Sequence, residues 1–170
     1  VMVIAGNHDV PLYDLRLRFG DPWRRWRRGM GRDLELVIET DALVAVAVHT
    51  ANPLAWKNGK ITGAQVERVA QAFADAGARR RIVVMHHPLQ GPPDEPPALA
   101  GAEAALAGLS AAGAEVVLSG HLHATYVTPL RGAERVFDLV VLDPPACSRA
   151  ADRRARRSRA TASSARSRST

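Results

Sequence analysis

Three short apolar runs in this chain each end on polar, histidine-bearing residues. Residues 1–5 lead into Gly6-Asn7-His8-Asp9, residues 82–85 into His86-His87-Pro88, and residues 116–119 into Gly120-His121-Leu122-His123. Short runs rich in Val and Ile read as buried strands. The pattern therefore sets metal-competent side chains at one rim of a sheet, where open α/β sheets hold their ligands. Elsewhere, residues 34–39 and 42–48 read as paired strands turning at Thr40-Asp41, and residues 49–60 as a loop holding Pro53, Asn58 and Gly59. Thr62 is placed to cap a helix running to about Ala76, with Val66, Val69, Ala70 and Phe73 on one face and Gly77 as its stop. Residues 81–85 form the second histidine-bearing strand, 90–97 a four-proline loop, 101–112 a helix stopped by Gly113, and 115–118 the third strand. Residues 125–130 and 135–142 read as a hairpin across Gly132. Strand–helix–strand alternation predicts right-handed crossovers and a largely parallel core, with antiparallel hairpins added at its flanks. The expected fold class is α/β, a mixed β-sheet sandwich flanked by helices.

The stretch from Leu15 to Arg28 interleaves Leu15, Leu17, Phe19, Trp23 and Trp26 with six arginines, and Gly20-Asp21-Pro22 divides it into two short helices. It reads as a solvated basic face with its tryptophans anchored in the core. A nucleic-acid or acidic-lipid surface is the rival reading.

Charge adds less than it first suggests. The net +6 is concentrated in residues 148–170, where eight arginines face one aspartate, so the rest of the chain holds 15 basic against 16 acidic residues. The folded part is close to neutral, and the high charge does not identify its partner. Residues 143–170, opening on Pro144-Pro145 and then rich in Arg, Ser and Ala, lack apolar periodicity and are expected to be disordered. No apolar run approaches the roughly 20 residues of a membrane span. The single cysteine, Cys147, excludes an internal disulfide and fits a reducing compartment, so a cytoplasmic location is expected.

The chemistry rests on the three clusters. In a turn after Gly120, His121 and His123 can both reach a shared site, each serving a different metal ion, and neutral imidazole suits Zn, Fe and Mn. Pro88 ends its strand sharply and leaves one of His86 and His87 as a ligand candidate. Gly6 permits close backbone approach, Asn7 offers a neutral oxygen to a metal, His8 can donate a proton, and Asp9 can orient the His8 ring. His49, in a loop and in no ligand motif, reads as structural or solvent-facing, and Cys147 as inert.

Together, Gly6-Asn7-His8-Asp9, Met85-His86-His87-Pro88 and Gly120-His121-Leu122-His123 resemble the last three motifs of the calcineurin-like metallophosphoesterases. The likeness extends over residues 1–142, and Trp56-Lys57-Asn58-Gly59-Lys60-Ile61 looks like a stretch of one bacterial branch related to cyclic-nucleotide phosphodiesterases. The resemblance implies a dinuclear centre of Mn, Fe or Zn hydrolysing phosphomonoesters or phosphodiesters. It implies that Asn7, His86 and His121 bind one metal and His123 the other. It implies that His8, supported by Asp9, contacts the phosphate and serves the leaving oxygen, with His87 outside the ligand set. The family's earlier motifs, D-x-H and G-D-x-x-D, occur nowhere in this sequence. The chain is therefore expected to be the C-terminal part of such a domain, with N-terminal strands missing, at most one weakly held metal and little activity. Two other readings stand beside it: a nucleic-acid-binding module built on the arginine-rich tail and the Arg/Trp helices, and a non-catalytic remnant of the fold.

Overall fold

A computed structural model of the chain describes residues 1–91, 98–122, 126–130 and 138–141. The expected tail, 143–170, lies outside them, as do His123 and most of the 90–97 loop. A short 3-10 turn, Asn7–Asp9, is followed by two helices, α1 (Leu15–Gly20) and α2 (Arg24–Gly29), which divide at Gly20-Asp21-Pro22 as the sequence suggests. Then come β1 (Val37–Glu39), β2 (Leu43–Val48), β3 (Gly59–Lys60), α3 (Gly63–Ala74), β4 (Arg80–Met85), β5 (Leu99–Ala100), α4 (Ala102–Ala111), β6 (Val116–Ser119), β7 (Tyr126–Pro129) and β8 (Asp138–Val141).

The principal sheet has six strands in the order β1-β2-β4-β6-β8-β7. Strands β2, β4, β6 and β8 run parallel, while β1 and β7 pair antiparallel at the two edges. This is the α/β class with a mixed sheet. Helix α3 connects β2 to β4, and α4 connects β4 to β6, the crossovers that parallel neighbours require. The described part of the hairpin between β7 and β8 is likewise in place.

Helix α3 starts where Thr62 and Gln65 exchange caps. Gln65 N donates to Thr62 Oγ1 at 3.3 Å, and Thr62 N donates to Gln65 Oε1 at 3.0 Å. Its buried stripe, Val69 and Phe73, joins Leu106 and Leu109 of α4 over Val44, Val46, Val83, Met85 and Val117 of the central strands. Gly77 and Gly113, the expected helix stops, both have positive φ.

The structure corrects three expectations. Residues 1–5 form no strand. They pair with no described strand, and Val1 and Val3 are exposed while Ala5 is buried. An apolar run becomes a strand only where a neighbour completes its hydrogen-bond ladder, and no described strand pairs with this one. The 49–60 segment is more than a loop: its end pairs in parallel with β5 as a two-stranded ribbon, Gly59 against Leu99 and Lys60 against Ala100. The arginines of the basic stretch are not all solvated. Arg18 is only 4% exposed; it donates to Pro11 O at 3.1 Å and Ala55 O at 2.8 Å, and its guanidinium lies 4.9 Å from the Trp56 ring centroid. The tryptophans behave as expected. Trp26 is buried, and Trp23 packs edge-on against the His49 ring with centroids 4.4 Å apart.

Candidate metal centre

Because β2, β4 and β6 are parallel, their C-terminal ends share one rim. β2 ends at His49-Thr50, β4 at His86-His87 and β6 at Gly120-His121. Gly120 N donates to His86 O at 3.0 Å, which ties the last two ends together. The turn Asn7–Asp9 lies against this rim, with Asn7 buried inward and His8 exposed. Asp9 Oδ2 accepts from Gly6 N at 2.8 Å and closes the turn.

Gly6 is where that turn meets the histidines. A Cβ there would stand 2.7 Å from His86 Cε1 and 2.9 Å from both ring nitrogens, so only a glycine admits the imidazole. His121 has φ +76°, the one positive φ among the described non-glycine residues. For a residue of this kind that backbone costs on the order of 1 kcal/mol or more, and it persists where surroundings hold it. Here it brings the ring into the cluster.

The result is a triangle of ligand-competent atoms within hydrogen-bonding distance of one another. His86 Nε2 is 2.9 Å from Asn7 Oδ1, His121 Nδ1 is 3.3 Å from Asn7 Oδ1, and the two nitrogens are 3.3 Å apart. Ligand atoms about 2.1 Å from a shared cation stand about 3.0–3.4 Å from one another in octahedral or tetrahedral arrangements. The donor spacing therefore fits a small divalent cation. The nitrogen and oxygen donors suit Zn, Fe or Mn. His86, His87 and His121 together form a group that could hold a metal ion, with candidate ligand atoms within 4.8 Å of one another.

His87 is the least available of the three. Its ring is fully buried, its Nε2 is 2.8 Å from the Lys57 carbonyl, and its Nδ1 is 2.9 Å from Thr50 Oγ1. A carbonyl only accepts, so Nε2 carries the proton and Nδ1 accepts from the Thr50 hydroxyl. Thr50 Oγ1 in turn accepts from His87 N at 3.2 Å. Both ring nitrogens are occupied by protein, and the ring instead packs on its neighbours, 4.8 Å from His86 and 4.5 Å from His121 between centroids. It packs against both candidate ligand rings.

Burial pushes the His87 imidazole down to about 4; the Lys57 carbonyl works against this, and His121 and His49 add repulsion. A histidine depressed in the folded state binds more protons when unfolded. Its contribution to stability is therefore fully present above about pH 6.5 and is lost as the pH falls towards 4. Urea unfolding between pH 6.5 and 4.5 is expected to show stability falling with acidification, with a shallower slope in His87→Gln. Equal slopes in both proteins would refute the assignment.

His49 is partly buried and its pKa is lowered by burial, against the pull of Glu35 and Asp9. Its backbone is gripped on both sides: Glu35 Oε1 accepts from His49 N at 2.8 Å, and Gln65 Nε2 donates to His49 O at 2.7 Å. This fits the structural role expected of it, although its Nδ1 is buried without a hydrogen-bond partner. His123 lies outside the described residues. Sequence reasoning missed Thr50 and Glu35, which sit in no motif, and the Lys57 carbonyl, whose stretch it noted without giving it a role. The cue for Thr50 is its position just past a strand end, beside one of the histidine pairs.

Among the described residues no helix is long and apolar enough to cross a membrane. Comparison of the chain with family models and with curated proteins found no match.

Proposed function

We propose that the chain carries part of a metal-dependent phosphoester hydrolase centre of the calcineurin-like kind, on the metallo-dependent phosphatase sandwich its sequence motifs suggest. The observation behind this reading is the triangle of Asn7 Oδ1, His86 Nε2 and His121 Nδ1, donated by three separate segments at one sheet rim. These residues would hold one divalent cation, Mn, Fe or Zn, and His123 would serve a second. A cation bound there supplies Lewis-acid polarisation of a phosphoryl oxygen and lowers the pKa of bound water.

The chain's own groups do the rest. Asn7, His86 and His121 are neutral donors, so they leave the cation's charge uncancelled and draw a phosphate towards the rim. His8 follows Asn7 directly in the turn and is exposed, so its ring is available to bind a phosphate oxygen and give a proton to the leaving oxygen. Asp9 keeps that turn closed through Gly6 N. His87, locked by Thr50 and Lys57, would hold the His86 and His121 rings through its edge-on and tilted contacts with them.

Binding of inorganic phosphate, followed by calorimetry with and without Mn²⁺, tests this reading. Mn²⁺ is expected to tighten phosphate binding at least tenfold, a gain of about 1.4 kcal/mol, and His8→Ala is expected to reverse part of it. Phosphate affinity indifferent to Mn²⁺ would count against the proposal. Hydrolysis of a chromogenic phosphodiester by this chain with Mn²⁺ is expected to stay near background, because the sequence lacks the D-x-H and G-D-x-x-D ligands. Full activity would overturn that ligand count.

A further inference from the structure

A cleft of about 410 Å³ opens beside the Asn7–Asp9 turn, and its lining includes His8, Val10, Tyr13, Arg25, Trp26 and Met30. Apart from His8, these residues belong to none of the histidine motifs. Val10 and Trp26 are buried and give the cleft an apolar floor. Tyr13, 93% exposed, stands at its edge with Arg25 and Met30, which are also exposed. Two aromatic rings, a thioether and a guanidinium thus border one cavity next to the group placed to serve the leaving oxygen. Asp9 lines the same cleft, and its charge offsets that of Arg25. A second anionic group on the ligand is therefore not favoured.

We infer that this cleft receives the organic part of the phosphoester, and that this part is a flat, uncharged aromatic group. The inference rests on the phosphoester reading and gives that site a substrate class, an aryl phosphoester. Tyr and Trp rings prefer offset or edge contacts with another ring, and a guanidinium is attracted to its face. Small-molecule sites combine such apolar walls with a few polar groups. The chain already makes one such pair, Arg18 over Trp56. With an aryl group held against Tyr13, Trp26 and Met30, the ester oxygen would lie towards His8 and the phosphate towards Asn7, His86 and His121.

The test uses the full chain, with 1-naphthol and 1-naphthyl phosphate as probes in ligand-observed NMR. Both are expected to bind saturably. Tyr13→Ala and Arg25→Ala are each expected to weaken 1-naphthol about tenfold, and Phe19→Ala, outside the cleft lining, is expected to leave it unchanged. All three side chains are exposed, so folding is not at risk. His86→Ala is expected to leave 1-naphthol affinity untouched while removing any Mn²⁺-dependent gain for 1-naphthyl phosphate. Failure of the metal reading would then appear as no Mn²⁺-dependent gain in the unsubstituted chain, with 1-naphthol binding intact. No saturable 1-naphthol binding, or affinity unmoved by both Tyr13→Ala and Arg25→Ala, or a Phe19→Ala loss as large as theirs, would overturn the cleft assignment.

Discussion

Replacing His86 with alanine is expected to lower the chain's affinity for a divalent cation such as Zn²⁺ by more than about 100-fold. Changes to groups that merely orient a ligand already cost about 10–100-fold, and in the proposed centre His86 would contribute a donor atom. Its Nε2 stands 2.9 Å from Asn7 Oδ1 and 3.3 Å from His121 Nδ1, so its loss leaves two donors of the triangle. Calorimetric titration with Zn²⁺ measures this, with His8→Ala as the comparison. His8 is exposed beside the site and is expected to change cation affinity little. Equal losses in the two variants, or none in His86→Ala, would show that the cation binds elsewhere.

Gly59→Ala is expected to destabilise the fold by about 3 kcal/mol, which urea denaturation reads as a fall in midpoint. Alanine narrows the unfolded ensemble and would by itself stabilise by about 0.4–1 kcal/mol. Here sterics outweigh that gain. A Cβ at Gly59 would lie 2.4 Å from His87 Nδ1 and 2.6 Å from Thr50 O. Neither neighbour is free to give way. Thr50 O accepts from Lys60 N at 2.9 Å, and His87 Nδ1 takes the Thr50 hydroxyl. Overpacking of this kind costs about 1–3 kcal/mol, and a buried hydrogen bond left unmade about 1–3 more. Gly63→Ala is the contrast. Nothing lies within 4 Å of its would-be Cβ, and it sits in the first turn of α3, so stability is expected to hold or rise slightly. Destabilisation by both to the same extent would mean that the clash with His87 is not the cause.

Much of the framework was legible in the sequence because periodicity and caps act locally. The Thr62 cap, the Val69 and Phe73 stripe and the apolar central strands all appear where the pattern places them. What was not legible depends on partners far away in the chain. Gly59-Lys60 is too short to show alternation, and it becomes a strand only because Leu99-Ala100 lies beside it. Residues 1–5 have a strand's composition, but composition does not supply a neighbour. Arg18 looks like the five other arginines of its stretch and differs in meeting the carbonyls of Pro11 and Ala55.

The candidate site divides in the same way. Asn7, His86 and His121 were legible as motif residues after turns and strand ends, and the fold brings their donor atoms within 3.3 Å of one another. The groups that hold the site in shape were not. A threonine just past a strand end is a faint cue and a backbone carbonyl has no side-chain signal, yet Thr50 and Lys57 O set the tautomer of His87. His87 was placed outside the ligand set by resemblance alone; it belongs to the histidine group that could hold a metal ion, while both its ring nitrogens hydrogen-bond to protein.

The most direct test of the cation site is Zn X-ray absorption on the full chain loaded with one equivalent of Zn²⁺, compared with its His121→Ala variant. One bound equivalent is predicted, with nitrogen and oxygen ligands at about 2.0–2.1 Å and an imidazole signal that falls when His121 is removed. No stoichiometric uptake, or a zinc environment identical in the two proteins, would contradict a centre built on Asn7, His86 and His121.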